Sequence, residues 1–79
     1  MSEEAKSLLA QRRLAYKQSL TGSHGEAVLA DLAKFCRARE TTFHADPRVH
    51  ALMEGRREVW LRIAHHLNLS EDELFNHYR

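Results

Sequence analysis

One cysteine, one proline, one tryptophan and three glycines in 79 residues leave little material for irregular structure. A lone Cys36 excludes an intramolecular disulfide, and with it the small secreted scaffolds that disulfides hold together. A reducing cytoplasm is therefore the expected place of synthesis. No stretch approaches the roughly twenty apolar residues of a membrane span. The opening Met1-Ser2-Glu3-Glu4-Ala5-Lys6 is polar and acidic, with no apolar signal core behind it. The expectation is a soluble protein with no membrane partner. An excess of one charge is also missing: twelve basic side chains face eleven acidic ones, for a net charge of +1. Such a balance provides no overall field to hold a polyanion, so nucleic acid is not the favoured partner.

Amphipathic periodicity is what the chain does have, and it predicts an all-α fold in one domain over residues 1–79. Ala5, Leu8, Leu9, Ala15, Tyr16 and Leu20 recur at helical spacing and predict a first helix over about Glu3–Leu20. Arg12 and Ser19 interrupt its apolar face and Leu14 points away, so this helix should pack less firmly than the others. Thr21-Gly22-Ser23-His24-Gly25 reads as a turn with Ser23 as a cap, followed by a second helix over about Gly25–Arg39. Val28, Leu29, Leu32, Phe35 and Cys36 form its buried face. Residues 40–46 break the helix and supply Phe43 as a plug for the core.

Asp46 then caps a third helix with Pro47 in its first turn, where the missing N–H does no harm. This helix should run to about Leu67 and bury Val49, Leu52, Met53, Val59, Trp60, Ile63 and Leu67. Ser70-Glu71-Asp72-Glu73 is a capping-box pattern, which predicts a short fourth helix over about Glu71–His77 with Leu74, Phe75 and Tyr78 on its apolar side. The expected architecture is a compact three-helix domain with a short C-terminal fourth helix.

No catalytic, cofactor-binding or metal-binding residues emerge. Six histidines invite a zinc reading, but the close pairs of a zinc site, Cys-x-x-Cys or His-Glu-x-x-His, are absent. His50 and Glu54 share a helical face, as solvated pairs often do, and His65 and His66 diverge by about 100° around the helix. Cys36 falls on an apolar face, where a thiol acts as a small hydrophobe and not as a nucleophile. Gly22 and Gly25 lack the lysine and the preceding strand of a phosphate loop and read as turn glycines.

Two features of the third helix stand out. Arg56 sits near the centre of the apolar arc, where it either snorkels to water or makes a structural ion pair; Asp31 on the second helix is the best-placed partner, and the pair is preferred because an unpaired buried guanidinium is costly. Arg48, Gly55 and Arg62 stack at seven-residue spacing with His66 beside them. Glu54, Glu58 and His65 occupy the other side, so the flank reads first as a solvated, charge-mixed face; it is also a candidate interface, suited to another helix bearing carboxylates or to a phosphate backbone. Arginine outnumbers lysine nine to three, a bias that favours specific bidentate contacts.

Taken in order, Gly25, Val28-Leu29-Ala30-Asp31-Leu32, Phe35-Cys36, Thr42-Phe43, Asp46-Pro47-Arg48, Glu54-Gly55-Arg56-Arg57-Glu58-Val59 and Arg62-Ile63 resemble a family of small proteins of tailed bacteriophages and prophages. The family is typified by a protein of a Bordetella podophage. The resemblance covers about residues 25–67 and leaves helix one and the C-terminal tail outside. It implies a structural or virion-assembly role with no catalytic residues to carry over. The partners it implies are phage structural or assembly proteins, with a homo-oligomer as a further option, in the bacterial host cytoplasm or within the virion. A small DNA-binding regulator or packaging accessory is the alternative.

Overall fold

The computed structural model describes residues 2–78, with side chains through Asn76. Four helices follow in order: α1 (Glu3–Ser19), α2 (Gly22–Phe35), α3 (Pro47–Leu67) and α4 (Glu71–Tyr78). No strand occurs among the described residues. The all-α architecture expected from periodicity is the one observed, with three longer helices packed together and a short fourth.

Local chemistry explains most helix ends. The Asp46 carboxylate accepts the Arg48 backbone N–H at 2.8 Å, and Pro47 opens α3. The capping box closes in both directions: Glu73 N–H donates to Ser70 Oγ and Ser70 N–H donates to Glu73 Oε1, each at 3.1 Å. At the end of α3, Asn68 turns left-handed (φ 57°), so that Leu69 N–H reaches Ala64 O at 3.0 Å and Asn68 N–H reaches His65 O at 3.1 Å. The same pair of closing bonds ends α2, with Arg37 at φ 53°, Ala38 N–H on Ala33 O and Arg37 N–H on Lys34 O.

That closure corrects the second helix, which stops at Phe35 and not at Arg39, because the chain reverses at Arg37. Its start also differs. α2 begins at Gly22, with φ +75°, so Thr21 and not Ser23 occupies the cap position. Gly25 consequently lies inside the helix and not in the turn. A Cβ there would sit 2.3 Å from the Leu20 carbonyl carbon, so this glycine lets the end of α1 rest directly on α2.

Leu29, Ala33, Cys36 and Ala38 meet Trp60, Ile63, Ala64, Leu67 and Leu74 in one core. Cys36 packs there as expected, and burial pushes its thiol pKa up. Tyr16 and Leu20 supply the α1 edge, yet α1 buries no residue of its own. Phe75 sits half-buried beneath the Arg39 guanidinium, 4.4 Å from its centroid; the Tyr78 side chain lies outside the described residues.

Several expected core residues are not in it. Phe43 is 73% exposed and tilts against the His50 ring, 5.9 Å between centroids. Leu52 and Val59 are 54% and 51% exposed, and Val28 and Phe35 are also exposed. The apolar arc of α3 is wider than its neighbours can cover, and they cover the side centred on Trp60 and Ala64.

Candidate functional site

The expected pair of Asp31 and Arg56 does not form. Asp31 is exposed with no ion-pair partner among the described residues, and the Arg56 guanidinium lies 4.3 Å over the Phe35 ring. The structural arginine is the next residue. Arg57 Nη2 and Nε donate to Glu71 Oε1 at 2.6 and 3.2 Å, and Nη1 donates to Arg37 O at 2.9 Å and, at longer range, to Glu40 O at 3.5 Å. One side chain thus ties the open carbonyls after α2 to the first turn of α4. The sequence pattern favours Arg56, which lies near the centre of the apolar arc, over Arg57. The choice depends on where two remote segments converge.

Arg48, Gly55, Arg62 and His66, the candidate interface residues, lie along one flank of α3. With Leu52 and Val59 they form a seam at 48, 52, 55, 59, 62 and 66, spaced alternately by four and three, the interval that keeps residues in register along a helix packed beside another. Of these, Arg48, Leu52, Gly55, Val59 and Arg62 are exposed. His66 is not: it is only 4% exposed, with its ring stacked on Tyr16 at 4.5 Å and an interplanar angle of 25°. α1 therefore covers the C-terminal end of the seam and leaves the rest bare. Among the described residues, no atom other than the chain neighbours and the nearby backbone of α3 itself lies within 4 Å of a Cβ built on Gly55. A groove of about 510 Å³ brings Gly55, Val59, Arg62 and His66 together with Glu58 and His65; Arg48 lies outside it, one turn beyond Leu52.

Arginine and histidine outnumber carboxylate on this flank. His66 has no hydrogen-bond partner for its buried Nδ1. Burial above all, then the charges of Arg62, His65, Arg12 and Arg13, lowers its pKa below the ordinary histidine value. Glu58 lies on the groove wall, while other carboxylates are engaged elsewhere: Glu71 holds Arg57, Asp72 holds Arg39 at 2.7 Å, and Glu40 holds Arg37 at 3.2 Å. Arg48 and Arg62 have no ion-pair partner among the described residues.

Among those residues no three His, Cys, Asp or Glu side chains gather as a metal would require, and no helix is long and apolar enough to cross a membrane. What the flank offers is an exposed helical seam with apolar side chains, a glycine gap and unpaired arginines. The family model described as Bbp19-like phage protein matches residues 16–77. The chain belongs to that family. The match reaches beyond the 25–67 core, taking in the last turn of α1 and nearly all of α4. No curated protein and no solved structure matches the chain. Within the Bbp19-like family unit lie α2, α3 and α4 with the Tyr16 and His66 stack; most of α1 precedes it.

Proposed function

We propose that this Bbp19-like chain is a non-enzymatic structural or virion-assembly component of the phage, acting through helix-mediated contacts with another phage protein. One observation carries the reading: Leu52, Gly55 and Val59 form an exposed helical seam in a chain whose own helices leave it uncovered. An apolar stripe with a glycine gap suits the close approach of a second helix. It supplies neither a nucleophile nor a base.

The test is made in phage-producing cells with Leu52→Asp and Val59→Asp. Both positions are exposed, so the variants should fold and melt within about 0.5 kcal/mol of the parent. They should nonetheless lower the yield of infectious particles and remove the chain from whichever assembly intermediate retains it. Unchanged particle yield and retention from both folded variants would reject the reading. The DNA-binding alternative makes a separate demand: duplex binding that weakens steeply as salt rises and survives both substitutions.

A further inference from the structure

From the charge pattern of the seam we infer the chemistry of its partner: an amphipathic helix, from a protein other than this chain, that carries carboxylates two heptads apart on either side of a small or apolar segment. This inference rests on the reading of the α3 flank as a contact surface and adds what must lie on the other side.

The exposed seam reads Arg48, Leu52, Gly55, Val59, Arg62, with the glycine at its centre and an arginine seven residues to either side. A second copy of α3 cannot satisfy it. Packed antiparallel about Gly55, Arg48 of one copy would face Arg62 of the other; packed parallel, each arginine would face its twin. Both arrangements put like charges together along a partly desolvated line, which specific interfaces avoid. The other helices of the chain do not fit either. Two heptads is a rise of about 21 Å, and none of the four helices carries two carboxylates fourteen residues apart.

Arg48 has no role in its own helix that accounts for it. It occupies the first turn of α3, where a cation opposes the helix dipole; the Asp46 cap takes the Arg48 backbone N–H and makes no ion pair with its guanidinium. Arg62 likewise has no ion-pair partner among the described residues, and Arg12 and Arg13 of α1 add positive charge beside His66 at that end. Between the arginines, two half-exposed apolar side chains flank the backbone opening at Gly55. A phosphate backbone has no use for Leu52 and Val59, nor for Glu58 on the groove wall. A helix with carboxylate ends and an apolar middle uses both arginines, the two apolar side chains and the gap at Gly55.

Three probes test this against the full chain by fluorescence anisotropy. Two are synthetic helical peptides of equal length with the same leucine and alanine seam, one with Glu and the other with Lys at the two positions fourteen residues apart. The third is a duplex DNA. The Glu peptide should bind at least about tenfold more tightly than the Lys peptide, the difference expected of matched against opposed charges. Arg48→Glu with Arg62→Glu should reverse that preference, and Arg48→Gln with Arg62→Gln should abolish it; circular dichroism confirms that both variants keep their helices. Equal binding of the two peptides overturns the acidic partner and leaves the contact surface standing. Duplex binding tighter than the Glu peptide's, or no binding by either peptide, overturns the inference as well. The particle-yield test of Leu52 and Val59 judges the contact surface independently.

Discussion

At the scale of single residues, adjacent arginines of the same helix do different work. Arg57 is about a quarter exposed (24%) and joins three segments through charge-assisted bonds. Arg57→Ala should therefore cost about 2–3 kcal/mol in urea or thermal melts, because it strands two carbonyls and a carboxylate. Arg56→Ala loses only a cation–π contact and should cost about 0.5–1 kcal/mol. Asp31→Ala should fall within about 0.5 kcal/mol of the parent. Because Arg56 and Asp31 form no ion pair or hydrogen bond with each other, their double mutant should be additive. A clear shortfall from additivity would restore the ion pair that the sequence suggested.

His66 sets the pH response at the same scale. Buried against Tyr16 and facing Arg12, Arg13, Arg62 and His65, it holds a proton less readily in the folded state than in the unfolded one. The unfolded chain then binds more protons as pH drops below about 6.5, so folding stability falls through that value and continues to fall until the folded-state pKa is passed. His66→Phe keeps an aromatic ring on Tyr16 and removes the titration. Melting temperatures compared between pH 8 and pH 5 should show a drop in the parent that is reduced in this variant; equal drops would separate His66 from the acid response.

Elements are decided by backbone contact, and two glycines in helices behave oppositely. Gly25 has the Leu20 backbone where its Cβ would be, so Gly25→Ala must push α1 from α2 and should cost about 1–3 kcal/mol. Gly55 has open space, so Gly55→Ala should stabilise α3 by up to about 1 kcal/mol through helix propensity alone. Thermal melts of the isolated variants check both. A destabilised Gly55→Ala would mean that the gap is closed by a contact within the chain.

For the whole molecule, the dimensions are those of a plate. Its extents are 44 × 32 × 17 Å and its radius of gyration is 14.3 Å, against about 12 Å for a well-packed domain of this length. The accessible surface of 5803 Å² exceeds the roughly 4,900 Å² expected of a monomer of this mass. α1 has Leu8 and Leu14 about half exposed and no buried residue. Its amides before Tyr16 should exchange faster than those of α2 and α3 around the core, and trypsin should cut at Arg12, Arg13 or Lys17 before any site in α3. Hydrogen-exchange mass spectrometry reads this directly. Slow exchange over residues 5–14 would show α1 to be as firmly held as the rest.

The sequence by itself determined what is local. Capping at Asp46 and Ser70, the proline at the head of α3 and the helical recurrence of apolar residues depend on neighbours a few positions away, so the four helices and most of their ends were legible. The seam through Arg48, Gly55, Arg62 and His66 was legible for the same reason, as spacing on one helix. The tertiary structure decided which part of an overly wide apolar arc is covered. It buried Trp60 and Ala64, bared Leu52 and Val59, and drew His66 under Tyr16. It also chose Arg57 over Arg56, residues about 100° apart on the helix, because the carbonyls after α2 and the first turn of α4 converge on one of them. Periodicity gives a helix its face, but only the placement of distant segments determines what that face meets.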